Sequence, residues 1–332
     1  MLTDLRSTVS EHIIVTAECK HVARAAAADQ GHSFGGAWTE VKLDAIHYYL
    51  EFYTLVLKDK PTTQHPFEPW YIDAFAGSGF RRIDRSTGGL FEGEPLGEET
   101  VDLAGSVLRA LDVHPPFKRL VFIEENRARF RRLQEIAAAN PNRNIIPVHG
   151  DANAELLRIF GAPPWSQQRN GRGSHRAIVF LDPFGMSVKW ETLKQLAETR
   201  AVDVWYLFPT GAVNRQLAGN FANVDEHKQN ALDQVFGSTA WREDIYKVET
   251  ARGLFDEVVT TASKTFTADQ IERYAQNCLT TIFAYVSDPL PLLNDRDSKI
   301  FSLFCLSNSS SSKALDLIRS GVKSVLKKFA GR

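Results

Sequence analysis

The chain has 332 residues, of which 43% are hydrophobic and 24% are charged, and its formal net charge is −1. This composition is that of an ordinary globular protein, and the near-neutral charge excludes the strongly basic footprint of a dedicated nucleic-acid binder. Because no apolar run approaches the roughly eighteen residues of a membrane span and no N-terminal signal pattern is present, we expect a cytoplasmic protein without membrane contact.

Helices are predicted before the first strand. The first thirty residues are Ala-rich, which favours one or two short helices. From residue 38 to residue 57, apolar side chains recur at three- and four-residue spacing, which predicts a longer amphipathic helix. We therefore assign residues 1–65 to an N-terminal helical segment, which ends in a polar, Pro-containing linker.

Strands and helices alternate along residues 66–208, the first part of the predicted core. The strands are continuous apolar runs, which is typical of parallel strands covered by helices on both faces. A loop is expected at residues 81–97. The predicted strands after Tyr71 cover residues 119–124, 144–149, 176–182 and 202–208, and the predicted helices cover residues 98–111, 126–139, 151–160 and 189–199.

The alternation stops at residues 209–266, where polar stretches between amphipathic pieces indicate a mostly helical insertion or cap. Residues 267–332 form the C-terminal part of the core. Thr267 can cap a helix, and two late strands without a helix between them are expected to pair antiparallel. Five parallel strands and such a hairpin form the sheet of class I methyltransferases. The predicted fold class is therefore α/β: a Rossmann-like class I methyltransferase sheet of seven strands, with N-terminal helices and a helical insertion.

Metal and disulfide chemistry are not indicated by the cysteines. Cys19, Cys278 and Cys305 lie far apart and include no C-x-x-C pair. Such isolated cysteines are expected to be buried or free thiols. We therefore expect no metal site.

The most informative segment is the turn after the first strand, which runs Asp73-Ala-Phe75-Ala-Gly77-Ser-Gly79. Glycines at the carboxyl end of a parallel strand let the backbone approach a ligand closely, because no Cβ stands in the way. A dinucleotide fingerprint needs a third glycine that opens into a helix, and that glycine is missing here. The pattern resembles the first motif of class I methyltransferases, which bind S-adenosylmethionine. An ordinary strand–turn with two glycines is the alternative.

Acidic residues also follow the second and third predicted strands. Glu124 ends the second strand, where a carboxylate can accept hydrogen bonds from ribose hydroxyls, and Glu125 is its rival. Asp151 follows the third strand, where it can accept from an adenine amino group. A strand-terminal acid taken alone is usually an N-cap or a turn residue. Together with Asp73, however, these acids fall at successive carboxyl ends, which share one edge of a parallel sheet.

The fourth strand ends in Asp182-Pro183-Phe184-Gly185. An acid in a rigid turn can hold an amine with its lone pair towards a methyl donor, and a nearby aromatic ring can stack on a base. Methyltransferases that act on amines carry Asp/Asn-Pro-Pro-aromatic here, so this chain lacks one proline and has its aromatic residue one position early. We interpret Asp182, Pro183 and Phe184 as catalytic candidates. A plain turn in which Phe184 packs in the core is the alternative.

These motifs make the chain resemble the three-Cys-motif partner proteins, a bacterial group with a class I methyltransferase-like core. The resemblance covers residues 35–215 and includes three further motifs: Trp38-Thr-Glu-Val-Lys42, Val204-Trp-Tyr-Leu-Phe-Pro209 and Asn214-Arg215. It implies a cofactor-binding domain that works with a three-Cys-motif protein, which is itself similar to radical S-adenosylmethionine proteins.

The resemblance also implies roles for individual residues. Asp182 would lie nearest the methyl group of the cofactor, and Lys42 and Arg215 would reach the mouth of the site as substrate contacts. The residues implied to surround the methionine part of the cofactor are Asp73, Phe75, Gly77 and Gly79.

Two functions are consistent with these motifs. The leading hypothesis is an S-adenosyl-L-methionine-dependent methyltransferase that transfers a methyl group to an amine of nucleic acid or of a nucleobase-like acceptor. The alternative is a non-catalytic, cofactor-binding module that supports the three-Cys-motif protein. The altered Asp-Pro-Phe-Gly turn and the near-neutral charge favour the alternative.

Overall fold

The computed structural model describes residues 37–59, 67–87, 97–167, 174–252 and 258–331. The helices predicted in the first thirty residues lie outside this part of the chain. A larger compact unit comprises Gly35–Phe80 and Ala104–Arg332, and the described residues of Arg81–Leu103 belong to a smaller unit.

The strands of the larger unit are mostly apolar runs that end in polar or turn residues. In the smaller unit, β2 (Phe80–Thr87) and β3 (Gly97–Ala104) pair with each other. The strands of the larger unit are β1 (Glu68–Asp73), β4 (Arg119–Glu124), β5 (Ile145–His149), β6 (His175–Leu181), β7 (Val202–Phe208), β8 (Tyr246–Arg252), β9 (Val258–Lys264), β10 (Tyr285–Val286), β11 (Leu290–Leu293) and β12 (Lys299–Ser307).

One sheet organises the larger unit, with the strand order β10–β12–β7–β6–β1–β4–β5. Strands β1, β4, β5, β6 and β7 run parallel, whereas β12 is antiparallel to β7, β10 and β11. This sheet confirms the predicted Rossmann-like fold class. It has eight strands and not the predicted seven, because the Pro-containing connection of residues 288–297 itself supplies β11.

The strand order places a ligand crevice at the carboxyl ends of the parallel strands. β1 lies where the order reverses, since β4 and β5 follow on one side of it and β6 and β7 on the other. In open α/β sheets, ligands bind at this switch point. Asp73 is the last residue of β1, and it pairs in register with Phe122 of β4 and Phe180 of β6.

Helices cover both faces of the sheet. The helices are α1 (Ala37–Leu57), α2 (Ser106–Leu111), α3 (Arg127–Ala139), α4 (Ala152–Gly161), α5 (Trp190–Glu198), α6 (Thr210–Gln216), α7 (Glu226–Phe236), α8 (Trp241–Ile245), α9 (Ala268–Thr280) and α10 (Ser312–Phe329). Among the described residues, none of these helices combines the length and the apolar character needed to cross a membrane.

Alternate side chains of each strand enter two separate cores. Tyr71 and Phe122 pack with α1, α2, α3 and α10 on one face, and Ile72 and Ile123 pack with α4 to α9 on the other. Each of these side chains is fully buried, and full burial of such a side chain contributes about 1.5–3 kcal/mol. The two-faced burial explains why the strands are continuous apolar runs.

Two segments differ from the sequence-based prediction. Within residues 81–111, the predicted loop contains β2, and the first part of the predicted helix is β3. The predicted helical insertion at residues 209–266 contains three helices and also the antiparallel hairpin β8–β9. The strands of both pairs are rich in polar residues, so they lack the apolar runs by which the sheet strands are recognised. The domain boundaries remain a prediction.

The predicted N-cap of α9 is confirmed. The Thr267 hydroxyl accepts a hydrogen bond from the Gln270 N–H at 3.3 Å, and the Gln270 side chain accepts one from the Thr267 N–H at 2.8 Å. This reciprocal capping box satisfies two backbone donors that would otherwise be unpaired at the start of the helix.

Candidate active site

The glycine turn is anchored to both neighbours of β1. The Ala74 N–H donates to the Phe180 carbonyl of β6 at 3.1 Å, and the Ala76 N–H donates to the Ile123 carbonyl of β4 at 3.0 Å. Gly77 has φ +63°, a left-handed conformation that favours glycine. A Cβ at Gly77 would have no heavy atom of the described residues within 4 Å. The turn is therefore fixed at the switch point and opens at Gly77 to space that a ligand could occupy.

Gly79 serves the packing of the turn. Its φ is +80°, and a Cβ there would lie 2.6 Å from Ile136 Cδ1 of α3. The Gly79 carbonyl accepts a hydrogen bond from the Gly105 N–H at 3.0 Å. The chain thus leaves the turn at Gly79 and returns beside it at Gly105, directly before α2. The structure gives Gly79 a role in helix packing and backbone closure, and its predicted contact with a cofactor stays a prediction.

Asp73 is fully buried beneath the turn. Its Oδ1 accepts a hydrogen bond from the Phe75 N–H at 3.2 Å, whereas its Oδ2 has no hydrogen-bond partner among the described residues. The pKa of Asp73 is raised to about 7, mainly by burial and also by the negative charge of Asp182; the Ser106 hydroxyl, the Phe75 N–H and the Lys42 ammonium partly oppose the rise. Asp73 therefore braces the turn while one of its oxygens is left unsatisfied.

The acid after β6 is paired with a lysine from the N-terminal helix. Lys42 Nζ lies 2.5 Å from Asp182 Oδ2, and the side chains are 5% and 27% exposed. Lys42 Nζ also lies 5.2 Å from the centre of the Trp38 ring, which is 4.9 Å from the Phe301 ring at the start of β12. Because β6 pairs with β1 and Phe180 lies opposite Asp73, the glycine turn and the turn after β6 are adjacent, and the charges of Asp182 and Lys42 both act on Asp73.

The aromatic residue of the turn after β6 is not a core residue. Phe184 is 80% exposed, although Pro183 before it is buried. Gly185 follows with φ +61°, which lets the chain reverse directly after the exposed ring. The alternative in which Phe184 packs in the core is therefore wrong, and its ring lies at the surface two residues from Asp182.

A buried asparagine that the sequence analysis missed holds this turn in place. Asn153 of α4 donates to the Ser187 carbonyl, and its Oδ1 accepts from the Lys189 N–H and the Thr192 hydroxyl, each at 2.9 Å. It lies on the same helix face as the buried Leu156. A polar residue on an apolar helix face is the sequence signal that could have identified it. Asn153 thus fixes the segment that follows Asp182.

Glu124 lies at the end of β4, and one of its carboxylate oxygens is already hydrogen-bonded. Its Oε1 accepts from the Asn126 N–H at 2.7 Å and from Arg129 Nε at 3.1 Å, whereas Oε2 accepts from none of the described residues. Glu124 is buried and its rival Glu125 is exposed. The environment of Glu124, on the strand next to the glycine turn, therefore suits an acceptor for a ligand hydroxyl.

Asp151 is an exposed N-cap. Its Oδ1 accepts a hydrogen bond from the Ala154 N–H at 2.9 Å, which starts α4 after β5. Asp151 therefore has the N-cap role that was the alternative for a strand-terminal acid. The predicted contact with adenine would have to use its other oxygen, Oδ2. The structure ties Asp151 to the strand next to Glu124, since β5 pairs with β4 through His149 opposite Glu124.

Two candidates remain, Phe75 and Arg215. Phe75 is partly buried and packs against the core on one face of the sheet. Arg215 is exposed on α6 and makes no hydrogen bond or ion pair with the described residues. Their predicted contacts with cofactor and substrate stay predictions.

Comparisons with known proteins find likeness in structure and none in sequence. Neither a protein-family model nor a curated protein sequence matches the chain. Among solved structures, it is similar to protein LPL1258 from Legionella pneumophila, with 13% identity over 87% of this chain and 92% of that chain, and a TM-score of 0.44.

Two further solved structures are also similar to the chain. The N-terminal domain of EvdMO1 with SAH bound shares 12% identity over 87% of this chain and 94% of that chain, at a TM-score of 0.37. An S-adenosylmethionine-dependent methyltransferase from Clostridium acetobutylicum shares 9% identity over 79% and 92% of the two chains, at a TM-score of 0.32. TM-scores this low carry no argument, so the fold assignment depends on the strand order.

Proposed function

We propose that this chain is an S-adenosylmethionine-dependent methyltransferase that acts on an amine of nucleic acid or of a nucleobase-like acceptor. One observation carries the proposal. β6, which ends directly before Asp182, pairs in register with β1, which ends at Asp73, so the expected cofactor turn and the expected acceptor turn follow neighbouring strands at the switch point of the sheet.

The residues present fit the cofactor. Gly77 offers open space beside a left-handed backbone, and Glu124 Oε2 can accept hydrogen bonds from ribose hydroxyls. Asp151, which follows the next strand, could accept a hydrogen bond from the adenine amino group, and the N–H groups of the turn suit a carboxylate. S-adenosylmethionine, when bound, supplies an electrophilic methyl group on sulfur. The unpaired Oδ2 of Asp73 is a buried acceptor beneath the same turn.

Asp182, Pro183 and Phe184 would position the acceptor. Lys42 binds Oδ2 of Asp182, which leaves Oδ1 to accept an N–H of an incoming amine. The exposed Phe184 ring offers a face on which a planar base can stack. Holding the amine at a fixed distance and orientation is the main contribution expected from the protein.

The cofactor site is tested by a pair of glycine variants. Gly77→Val places a side chain in the open space of the turn and should abolish S-adenosylmethionine binding measured by calorimetry. The matched control is Gly185→Val, because Gly185 has nearly the same φ and the same lack of neighbours within 4 Å. Wild-type affinity in Gly77→Val, or equal losses in both variants, would reject the proposed site.

The acceptor is tested with labelled methyl groups. Wild type and Asp182→Asn are incubated with methyl-labelled cofactor and, separately, with total RNA, DNA and protein. We expect label in a nucleic-acid fraction with wild type and little label with Asp182→Asn, although both bind the cofactor. Label in the protein fraction alone would support a methyltransferase whose acceptor is a protein and would reject the nucleic-acid acceptor.

The second candidate is a cofactor-binding module for a three-Cys-motif protein. The observation that favours it is the same ion pair, since Lys42 already occupies one oxygen of the acid that should hold an amine. The missing second proline points the same way. If wild type binds the cofactor, transfers no methyl group to any fraction, and raises the activity of a co-expressed three-Cys-motif protein, this function replaces the first.

A further inference from the structure

Lys264, the last residue of β9, holds a positive charge against α6. Its Nζ donates a hydrogen bond to Asn214 Oδ1 at 3.0 Å and lies 3.4 Å from the Asn214 carbonyl oxygen. The Lys264 N–H also donates to the Gly219 carbonyl at 2.8 Å, so the backbone and the side chain are both fixed. Both acceptors of the ammonium are uncharged, and within the described part of the chain no carboxylate forms an ion pair with it. The side chain is half-buried, and burial lowers the pKa of Lys264. This charge is therefore fixed in place but not neutralised.

Arg215 brings a second positive charge to the same segment of α6. It directly follows Asn214, the residue that holds the Lys264 ammonium. The Arg215 guanidinium lies back along the helix, since a Cβ at Gly211 would be 3.4 Å from Arg215 Nη1 and 3.2 Å from Ile300 Cα. Arg215 is exposed and has no hydrogen-bond or ion-pair partner among the described residues. Arg215 and Lys264 together are called the cation pair below.

The acids of α9, which packs against α6, are bound by other cations. Asp269 and Glu272 each lie 2.7 Å from Lys299 Nζ, and the positive charge of Arg273 also acts on Asp269. Neither acid forms an ion pair with a member of the cation pair. The two positive charges thus remain available to an anionic ligand.

The cation pair lies at the carboxyl edge of the sheet, because α6 follows the carboxyl end of β7. The Arg215 guanidinium lies beside the start of β12. There the Phe301 ring is 4.9 Å from the Trp38 ring, which lies 5.2 Å from Lys42 Nζ. Lys42 in turn is the partner of Asp182. A continuous series of contacts therefore connects the cation pair with the turn that is expected to hold the methyl acceptor.

We propose that Arg215 and Lys264 bind the phosphate groups of a single-stranded nucleic acid whose base is presented to Asp182. The inference rests on the proposed function, since it assigns the backbone contacts of the same acceptor. A phosphodiester fits because two cations without carboxylate partners can donate charge-assisted hydrogen bonds to its oxygens. A single strand fits because its bases are free to stack on an exposed ring such as Phe184. A free nucleobase carries no phosphate and would leave the cation pair unused.

The test measures binding of a labelled single-stranded oligouridylate by fluorescence anisotropy at several low salt concentrations. Uracil has no exocyclic amine, so this probe reports contacts with the backbone and is not a substrate for transfer to an amine. Each phosphate contact to a single strand contributes about 0.7 to the slope of log K against log salt concentration. Arg215→Gln and Lys264→Gln should each reduce the slope by about 0.7, and the double variant by about 1.4.

Lys247→Gln is the matched control, because it removes the same charge from the same hairpin. Lys247 pairs with Ser263 and therefore points to the face opposite to Lys264. Its side chain is exposed and lies 3.6 Å from Glu249. The slope and the affinity for oligouridylate should both stay at the wild-type values. Calorimetric titration with S-adenosylmethionine checks that every variant is folded.

Methyl transfer to RNA separates failure of this inference from failure of the proposed function. In the double variant, the KM for RNA should rise at least about tenfold, because two charge-assisted hydrogen bonds are lost. A wild-type KM in the double variant overturns the cation pair and leaves the methyltransferase intact. If wild type transfers no methyl group, the proposed function fails and the anisotropy titration still decides the cation pair. The pair is overturned if wild type does not bind oligouridylate or if the double variant binds it with the wild-type slope.

Discussion

Two polar clusters lie at the carboxyl edge of the sheet, and they differ in how completely their buried groups are paired. In the first, Lys299 Nζ lies 2.7 Å from one oxygen of Glu272, and the Ser302 hydroxyl donates to the other. The Thr210 hydroxyl lies 2.7 Å from Ser302 Oγ, and Asp269 gives Lys299 a second carboxylate at 2.7 Å. Both oxygens of the buried Glu272 therefore have partners.

The second cluster is formed by Asp73, Lys42 and Asp182. Here one oxygen of the fully buried Asp73 has no partner among the described residues, and the single ammonium of Lys42 bonds Asp182. A completely paired network stabilises the fold around it, whereas an unsatisfied buried acid raises the free energy of the folded state. Such a cost is expected where a site must bind a ligand. The contrast separates a structural cluster from a candidate functional one.

The largest expected effect is the pH dependence caused by Asp73. Its pKa is about 7 in the folded protein, against an ordinary value of 3.8, so the folded state binds the proton more tightly than the unfolded state. Stability should therefore fall as pH rises from about 4 to 7, by up to about 4 kcal/mol. Asp73→Asn should remove this part of the dependence. The measurement is urea unfolding of both proteins at several pH values.

Asp203 acts in the same direction, because burial raises its pKa to about 6. Asp203 is unchanged in Asp73→Asn, so its contribution cancels when the two unfolding curves are subtracted. If wild type and Asp73→Asn have parallel stability profiles between pH 4 and 8, the pKa of Asp73 is not raised in the folded protein. The contrast between the two clusters is then lost.

The next effect concerns the completely paired cluster. Lys299→Met leaves the buried Glu272 without its ammonium partner and should destabilise the protein by about 3 kcal/mol. Cofactor affinity should not change under conditions in which the variant is folded. Lys247→Met is the control, because its ion pair with Glu249 at 3.6 Å is mostly exposed and should contribute less than about 1 kcal/mol. Equal effects of the two variants in urea unfolding would show that the pairing of Glu272 is unimportant.

Lys42→Met tests the incompletely paired cluster of Asp73, Lys42 and Asp182. The substitution leaves Asp182 without its ammonium partner, but the Asp182 side chain is 27% exposed and water can replace part of the interaction. We therefore expect a smaller loss of stability than for Lys299→Met, about 1 kcal/mol. If the proposed function is correct, methyl transfer should decrease while the affinity for S-adenosylmethionine is retained, because Lys42 positions Asp182 and not the cofactor turn. Calorimetry and the labelled-methyl assay measure the two quantities separately. Loss of cofactor binding instead would assign Lys42 to the cofactor site.

Much of the carboxyl edge of the sheet is predictable from the sequence, because it depends on local sequence patterns. Continuous apolar runs identify β1, β4, β6 and β7, and the carboxyl ends of parallel strands must share one edge. Asp73, Glu124 and Asp182 are therefore expected there before any coordinates. The exposed Phe184 ring was one of two open alternatives, since exposure depends on how the following turn is packed.

The parts that could not be predicted depend on contacts between distant residues. Lys42 and Asp182 are 140 positions apart, and helix periodicity does not indicate which acid the lysine meets. The unpaired oxygen of Asp73 arises from the absence of a donor in three dimensions. The paired strands β2 and β3 were missed because they lack apolar runs, and because the hydrogen bond that closes this segment joins Gly105 to Gly79 across 26 positions, which no local pattern marks.

The smallest effect is expected for Arg129, which is the exposed ion-pair partner of Glu124. Arg129 is 48% exposed and bonds only the Oε1 that the Asn126 N–H already occupies. Arg129→Gln should therefore lower stability by no more than about 0.5 kcal/mol. Cofactor affinity should stay within about threefold of wild type, because Oε2 is unchanged and 1.4 kcal/mol corresponds to a factor of ten. Glu124→Gln, in contrast, alters the acceptor itself and should weaken cofactor binding in the same calorimetric titration. If Arg129→Gln weakens binding as much as Glu124→Gln, the arginine and not the free carboxylate oxygen contacts the ligand.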